Sequence, residues 1–215
     1  MFNDRSDAGI QLASRLKEYK DKEGVLVLAL PRGGVVTGYE IARHLNAPLD
    51  IVIVRKIGFP GQPELAIGAV SETGTVVLND YIISGYGVSK EYIESEVSRQ
   101  KEEITRRVKL YRKGKWLSGL EGKTVILVDD GVATGATMKV AIATLREEKL
   151  NKLVVALPVA PSSVAEEIEK IVDEFICIET PFDFMAVGSY YYDFTQVSDK
   201  EVVEILRRSE EKEKP

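Results

Sequence analysis

The sequence contains one cysteine and one histidine, and both scarcities limit the chemistry that the chain can perform. Because Cys177 has no second cysteine to pair with, no disulfide can form within the chain. Cys177 lies in the apolar run FICIE, which favours a buried thiol on a strand over a nucleophile. His44 falls within a predicted helix and has no neighbouring Cys or His, so we interpret it as structural rather than as a metal ligand.

Long hydrophobic segments are also missing. No apolar run approaches the roughly 18 residues that a membrane span needs. The N-terminal MFNDRSDAG lacks the basic-then-apolar pattern of a signal peptide, so we expect a cytoplasmic protein without a membrane partner. The net charge of −5 argues against a broad nucleic-acid-binding face, and we do not expect nucleic acid as a partner.

The apolar residues that are present, 44% of the 215-residue chain, suit a single domain spanning residues 1–215. Continuous apolar runs predict buried strands, and helical spacing of apolar residues predicts helices between them. Strands are predicted at residues 25–30, 49–54, 124–129, 152–160 and 175–179, and helices at 8–19, 35–45, 135–148, 162–172 and 199–208. This alternation is typical of an α/β fold with a Rossmann-like parallel sheet flanked by helices.

The alternation is interrupted in the middle of the chain. RKIGFPGQPE, residues 55–64, contains two glycines and two prolines and predicts a loop. LAIGAV and TVVLND flank SETG and predict a hairpin. Residues 89–116 have apolar positions at mostly helical spacing and predict one long helix or two, whereas residues 209–215 predict a solvated tail. We interpret residues 57–118 as a helical and hairpin hood, or lid, inserted within the domain.

The segment TVILVDDGVATGAT, residues 124–137, combines a buried strand with two acids and a glycine-containing turn. In open parallel sheets, ligands bind at the carboxyl ends of the strands, where Asp129 and Asp130 lie. The turn into the next helix directs several backbone N–H groups at one point and favours an anion there. Carboxylates beside a phosphate suit a ligand with hydroxyl groups or a nearby metal, so the pattern predicts a sugar phosphate. The sequence has neither a nucleotide P-loop nor a G-x-S-x-G nucleophile turn.

VILVDDGVATGAT resembles the phosphoribosyl diphosphate (PRPP) motif of type I phosphoribosyltransferases. The resemblance implies transfer of phosphoribose from PRPP to a nitrogenous base, with release of pyrophosphate and with Mg²⁺ as cofactor. It also implies that Asp129 and Asp130 bind the ribose hydroxyls and stabilise an oxocarbenium-like transition state, with no direct metal ligand and water-mediated contact to Mg²⁺ through these two acids. The 5′-phosphate would be bound by the backbone of Ala133, Thr134, Gly135, Ala136 and Thr137.

Two further segments fit the same family. ALPRGGVVTG resembles its pyrophosphate loop, with Arg32 as a donor, Gly33 and Gly34 allowing close backbone approach, and a cis peptide expected at Pro31–Arg32 or Arg32–Gly33. VRKIGFPG resembles the strand end before the mobile catalytic loop of adenine and orotate members, which implies that Arg55 and Lys56 neutralise the departing pyrophosphate. FNDRSDAG and AVGSYYYDFTQVSD are similar to a group of microbial phosphoribosyltransferases whose acceptor is not settled.

One residue departs from part of the family. Enzymes acting on 6-oxopurines have an aspartate immediately before T-G, where this sequence has Ala133. Alanine cannot transfer a proton, which disfavours hypoxanthine or guanine as acceptor and leaves Glu64 and Glu72 as acid/base candidates. A flat base is expected to stack on an aromatic side chain near the C-terminus. The base-stacking candidates are Phe184 and Tyr190 first, then Phe182, Tyr191 and Tyr192.

Two other functions are compatible with the motif. A PRPP-responsive regulator could bind nucleic acid with the same fold and no turnover, although the acidic net charge and the retention of Arg55 and Lys56 disfavour it. PRPP synthesis shares the motif, but no second, ATP-binding half is apparent in 215 residues. The resemblance also implies a homodimer.

Overall fold

The computed structural model describes residues 1–212, apart from the side chains of Glu64 and Lys212. Its elements in chain order are α1 (Arg5–Arg15), β1 (Val25–Ala29), α2 (Gly34–Leu45), β2 (Leu49–Ile51), β3 (Val54–Phe59), β4 (Gln62–Ser71), β5 (Val76–Leu78), α3 (Asp80–Tyr86), α4 (Lys90–Arg112), β6 (Thr124–Val128), α5 (Ala136–Arg146), β7 (Lys152–Val159), α6 (Ser162–Glu169), β8 (Glu174–Glu179) and α7 (Asp199–Lys212). Short 3₁₀ turns lie at Lys17–Tyr19 and Val187–Tyr190.

The elements form two compact units. The first, here called the parallel unit, comprises Met1–Ile51, Gly119–Gly135 and the chain from Glu148 onward. The second, the antiparallel unit, comprises Val52–Ser118 and Ala136–Glu147.

The parallel unit contains a five-stranded sheet in the order β2-β1-β6-β7-β8, with every neighbouring pair parallel. Strand β1 is buried at all five positions, as expected for a strand that is covered on both faces. The predicted α/β fold with a parallel sheet flanked by helices is therefore confirmed. Cys177 lies on β8, where its thiol donates a hydrogen bond to the Glu179 carbonyl at 3.3 Å and burial raises its pKa to about 11. Cys177 is half-buried instead of buried as expected from the sequence. A thiol with a raised pKa is a poor nucleophile, which favours the structural interpretation.

The register of the central strands determines where the functional segments meet. Strands β1 and β6 pair from Val25↔Thr124 to Ala29↔Val128, so they end at the same level. The Leu30 backbone N–H also donates to the Val128 carbonyl at 2.9 Å. The segment after β1 and the segment after β6 therefore leave the sheet side by side at its carboxyl edge, where ligands bind in folds of this class.

The antiparallel unit corrects the loop that was predicted at residues 55–64. This segment forms most of β3, a tight turn and the start of β4, and β3 pairs with β4 along its length. Gly61 occupies the turn with φ of 75°, and the register shifts on either side of Gly58. A Cβ on Gly58 would lie 2.8 Å from the Pro63 Cα, so the strands approach closely there. The glycines and prolines thus occupy a turn and a bulge, positions that strands tolerate, which is why the loop prediction was wrong.

Three other expectations concern the helices and the second hairpin. The hairpin of LAIGAV and TVVLND is confirmed as β4 and β5, and the long helix is confirmed as the single helix α4. Helix α3 was not predicted; it begins after Asn79, whose side chain accepts a hydrogen bond from the Ile82 N–H at 3.2 Å. Helix α7 continues to Lys212, so the tail prediction was wrong for residues 209–212, and residues 213–215 lie outside the described residues.

None of the helices within residues 1–212 has the length and apolar character needed to cross a membrane.

Candidate functional site

The two acids that follow β6 are held in a fixed turn. The Asp130 N–H donates to the Asp129 carboxylate at 2.8 Å, and the Val132 N–H donates to the Val159 carbonyl at 3.0 Å. Gly131 has φ of 144°, and a Cβ there would lie 2.5 Å from a methyl group of Val187. The turn therefore requires glycine for its backbone conformation and for space.

The predicted pyrophosphate loop lies directly against this acidic pair. The peptide bond Pro31–Arg32 is cis, which confirms one of the two positions expected from the sequence. A Cβ on Gly33 would lie 1.8 Å from Oδ2 of Asp130, and one on Gly34 would lie 2.9 Å from Oδ1 of Asp129. The diglycine was predicted to admit a ligand, but in the structure it is also what allows the loop to approach the carboxylates.

Replacing Gly33 with alanine is therefore expected to lower the free energy of unfolding by about 1–3 kcal/mol, because the new Cβ must displace the Asp130 carboxylate. Equilibrium urea unfolding measures this change. Gly85→Ala is a suitable control, since Gly85 lies in α3 and a Cβ added there would have no neighbouring atom within 4 Å. An equal change in both variants would contradict the proposed crowding at Gly33.

An arginine that was not predicted as a site residue completes the cluster. Arg5 is buried, its Nε donates to Oδ2 of Asp130 at 2.6 Å, and its Nη1 donates to the Thr195 carbonyl at 2.7 Å. The guanidinium also lies 3.8 Å from the centroid of the Phe194 ring. One signal could have identified it: Arg5 shares helical spacing with the buried residues Ala8 and Leu12, which places an arginine on the apolar face of α1.

Asp129 and Asp130 differ in their electrostatic surroundings. Burial and then the adjacent negative charge of Asp130 raise the pKa of Asp129 well above its usual range, and the positive charge of Arg5 opposes that shift. The Tyr191 hydroxyl donates to the Asp130 backbone carbonyl at 2.5 Å, and burial raises the pKa of this phenol. The site thus has one carboxyl group that resists ionisation beside one that is paired with a buried arginine.

The other predicted cations lie in two different units. In the parallel unit, Nη1 of Arg32 lies 3.8 Å from a carboxylate oxygen of Asp199. In the antiparallel unit, Arg55 and Lys56 are neighbours on β3, so their side chains point to opposite faces of that strand. Arg55 donates to the Gln100 side chain of α4 at 2.9 Å, and burial followed by the charge of Arg107 lowers its pKa. The role of these three residues at pyrophosphate stays a prediction.

The predicted strand–turn–helix at residues 124–137 is confirmed. Ala133 and Thr134 are exposed, Gly135 has φ of 76°, and Ala136 begins α5. Binding of a phosphate by Ala133–Thr137 stays a prediction. Within residues 1–212, leaving aside the two side chains that are not described, no three His, Cys, Asp or Glu residues form a metal-binding group.

The aromatic candidates differ in what they contact. Phe184 and Tyr190 stack on each other, with ring centroids 5.7 Å apart and planes inclined by 13°. Tyr191 is buried between Phe2 and Phe194 and supports the acidic turn, so it does not present a face to a base. Phe182 and Tyr192 are exposed.

Glu72 is not a free acid/base group. Its side chain is fully buried, and its two oxygens accept hydrogen bonds from the backbone N–H groups of Ile53 and Leu117 and from the Arg112 guanidinium. A carboxylate with this many donors stabilises the fold. Because its side chain is fully buried, it cannot reach a substrate, so the acid/base interpretation of Glu72 was wrong. The side chain of Glu64, the other candidate, lies outside the described part of the chain.

Comparisons with known proteins identify the family. The phosphoribosyl transferase domain family matches residues 3–195. Two provisionally named phosphoribosyl transferases of Mycobacterium tuberculosis, from strains CDC 1551 and H37Rv, are each 44% identical over 209 residues, which covers 97% of this chain and 47% of theirs. The chain therefore spans about half the length of the curated relatives it matches.

A solved structure is similar over nearly its whole length. The crystal structure of TT1426 from Thermus thermophilus matches with a TM-score of 0.81 and 42% identity, covering 97% of this chain and 98% of that chain. The chain belongs to the phosphoribosyl transferase family. The resemblance stated from the PRPP motif is thereby confirmed, and the five-stranded parallel sheet flanked by helices is the type I fold that it implied.

Proposed function

We propose that the protein transfers 5-phosphoribose from PRPP to a nitrogenous base and releases pyrophosphate. The observation that supports this most directly is the contact of Gly33 and Gly34 with Asp130 and Asp129. PRPP has its ribose directly attached to pyrophosphate, so a PRPP site needs a pyrophosphate loop beside a pair of ribose-binding carboxylates. The register of β1 and β6 brings those two segments together.

The reaction would be a displacement at the anomeric carbon. The bond from that carbon to the pyrophosphate oxygen breaks with its electron pair, a bond to the acceptor nitrogen forms, and the proton of that nitrogen is released to water. Positive charge develops on the ribose as the leaving group departs, and the carboxylates of Asp129 and Asp130 would stabilise it. Arg32, with Arg55 and Lys56 as further candidates, would stabilise the negative charge of the pyrophosphate.

The donor set also fits Mg²⁺, the cofactor that the family resemblance implies. Mg²⁺ keeps several waters and binds through one or two carboxylates together with substrate phosphates, so Asp129 and Asp130 would suffice as water-mediated ligands. When bound, the ion would offset the charge of the pyrophosphate. The 5′-phosphate would meet the backbone N–H groups of Ala133–Thr137, where negative charge is favoured at a helix start.

The acceptor is proposed to be a flat base other than hypoxanthine or guanine. Ala133 provides no proton-transfer group at the position where 6-oxopurine enzymes have an aspartate. The stacked pair Phe184 and Tyr190 would supply an aromatic face for the base. We further propose that residues 57–118 act as a hood that excludes water during the reaction and that the protein is a homodimer.

Incubation with PRPP, Mg²⁺ and a panel of adenine, orotate, uracil, hypoxanthine and guanine, with pyrophosphate release as the readout, tests the proposal. We expect release that depends on one acceptor, and we expect hypoxanthine and guanine to be inactive. The double variant Asp129→Asn/Asp130→Asn provides the negative control. If no base gives release while the protein binds RNA tightly in the presence of PRPP, the regulatory function is favoured and the transferase proposal fails.

A further inference from the structure

Arg5 is fixed at the start of α1 by contacts on both sides. The Asp4 side chain accepts a hydrogen bond from the Asp7 N–H at 2.8 Å and caps the helix, so Arg5 is its first residue. The Arg5 carbonyl accepts a hydrogen bond from the Thr37 hydroxyl of α2 at 3.4 Å. A Cβ on Gly9 would lie 2.6 Å from the Thr37 carbonyl, so α1 and α2 pack closely at this point.

The segment before Arg5 is bound to the C-terminal loop. The Phe2 N–H donates to the Tyr190 carbonyl at 2.8 Å, and the Tyr192 N–H donates back to the Phe2 carbonyl at 2.9 Å. The Asp193 N–H donates to the Asn3 carbonyl at 2.9 Å. Because the backbone is held on both sides, the Arg5 side chain is directed to Asp130 with little conformational freedom left to lose.

The pair formed by Arg5 and Asp130 has a charge consequence for a PRPP site. The proposed substrate brings a phosphate and a pyrophosphate beside two carboxylates, and these negative charges repel each other. Arg5 and Asp130 are both largely buried, with side chains 10% and 15% exposed, so their interaction is weakly screened by solvent. Arg5 offsets one negative charge of the acidic pair and hydrogen-bonds Oδ2 of Asp130, which fixes the orientation of that carboxylate.

We infer that Arg5 is a positioning residue for PRPP binding, which holds Asp130 in the geometry that accepts a ribose hydroxyl and offsets the negative charge of the acidic pair. This role rests on the proposed function. It assigns the N-terminal segment to the substrate site, because Arg5 joins α1 and the Thr195 carbonyl to the acid that follows β6.

The test compares Arg5→Met, Arg5→Lys and Asp130→Asn, the double variant Arg5→Met/Asp130→Asn, and the control Arg15→Met. Arg15 lies on the same helix, is exposed, and donates to the Cys177 carbonyl at 3.2 Å instead of to the acidic pair. The Kd for PRPP with Mg²⁺ is measured by calorimetry at a temperature where circular dichroism shows each variant folded. Arg5→Met is expected to weaken PRPP binding roughly 10-fold or more, the loss typical of a hydrogen bond to a charged group. Arg5→Lys should recover part of it, because it restores the charge without the planar fork.

The double variant distinguishes positioning from a purely structural role. If Arg5 acts through Asp130, removing both groups should cost little more in PRPP affinity than Asp130→Asn alone. Arg15→Met should bind PRPP as the wild type does. PRPP binding by Arg5→Met within twofold of wild type, or losses that multiply fully in the double variant, would overturn the inference and leave the proposed function intact. If the wild-type protein itself does not bind PRPP, the proposed function fails and this role for Arg5 fails with it.

Discussion

Asp129→Asn is expected to lower pyrophosphate release by roughly 100- to 1000-fold, the loss seen when one electrostatic group is removed from a transition-state site. The same variant is expected to raise the stability of the protein at pH 7. Asp129 is half-buried beside the negative charge of Asp130, and its burial and that charge both disfavour the ionised form in the folded state. Asparagine has the same shape and can still accept the hydrogen bond from the Asp130 N–H through its amide oxygen. The variant should therefore gain about 1–2 kcal/mol in the free energy of unfolding, a common gain when a functional constraint is removed.

The stability gain should depend on pH in a defined direction. An unfolded aspartate ionises near pH 3.9, whereas folded Asp129 holds its proton to a higher pH. Between these two values the folded chain binds more protons than the unfolded chain, so the stability of the wild type falls as pH rises. Asp129→Asn has no such group, so its free energy of unfolding does not fall in this range. The stability difference between Asp129→Asn and the wild type should be absent below about pH 4, grow as pH rises to the raised pKa of Asp129, and stay constant above that pKa.

Urea unfolding of both proteins at several pH values, together with the release assay, checks the two halves of this prediction. Asp21→Asn is a matched control, because Asp21 is exposed in the same unit and its hydrogen bond from Asn46 can be kept. The control should change stability by less than about 0.5 kcal/mol at every pH. Unchanged release by Asp129→Asn would contradict the ribose role, and lower stability at pH 7 would contradict the raised pKa.

The parallel sheet could be predicted because its signal is local. Each of its three central strands, β1, β6 and β7, contains an unbroken run of at least four apolar residues, and a buried parallel strand requires that composition whatever surrounds it. The antiparallel hairpin of β3 and β4 could not be recognised in the same way. Its glycines and prolines are also typical of loops, and only the pairing with the partner strand shows that they lie at a turn and a bulge.

The same difference separates the site residues that could be predicted from those that could not. The acidic pair and the diglycine lie within short segments whose pattern predicts the role that we propose for them, and the cis peptide was expected from the family resemblance of one of these segments. Arg5 does not, because Asp130 lies 125 residues away along the chain and nothing near Arg5 in the sequence indicates a carboxylate partner. Glu72 was misinterpreted for the same reason: its partners Arg112 and Leu117 lie 40 and 45 residues away. Periodicity predicts which face of an element is buried, but not which distant group a polar side chain meets on that face.

Glu72 accordingly leads to a prediction about stability instead of catalysis. Glu72→Gln should lower the free energy of unfolding by about 3–5 kcal/mol, the cost of breaking a buried ion pair by removing one partner. The carboxylate connects the residue before β3, through the Ile53 N–H at 2.8 Å, with the residues that follow α4, through the Leu117 N–H at 3.1 Å. A glutamine amide can accept at only one of these two positions, and it would remove the negative charge that the buried guanidinium of Arg112 contacts.

The position of the only tryptophan makes this effect measurable in the antiparallel unit itself. Trp116 immediately precedes Leu117, so its fluorescence during urea unfolding reports on the segment that Glu72 holds. Glu103→Gln is the matched control, because Glu103 lies on α4, is partly exposed and pairs with Arg106 and Arg107 on the surface of that helix. It should cost less than about 1 kcal/mol, as exposed ion pairs usually do. If Glu72→Gln unfolds at the same urea concentration as Glu103→Gln, the buried carboxylate does not stabilise this unit, and a role for Glu72 in chemistry would have to be considered again.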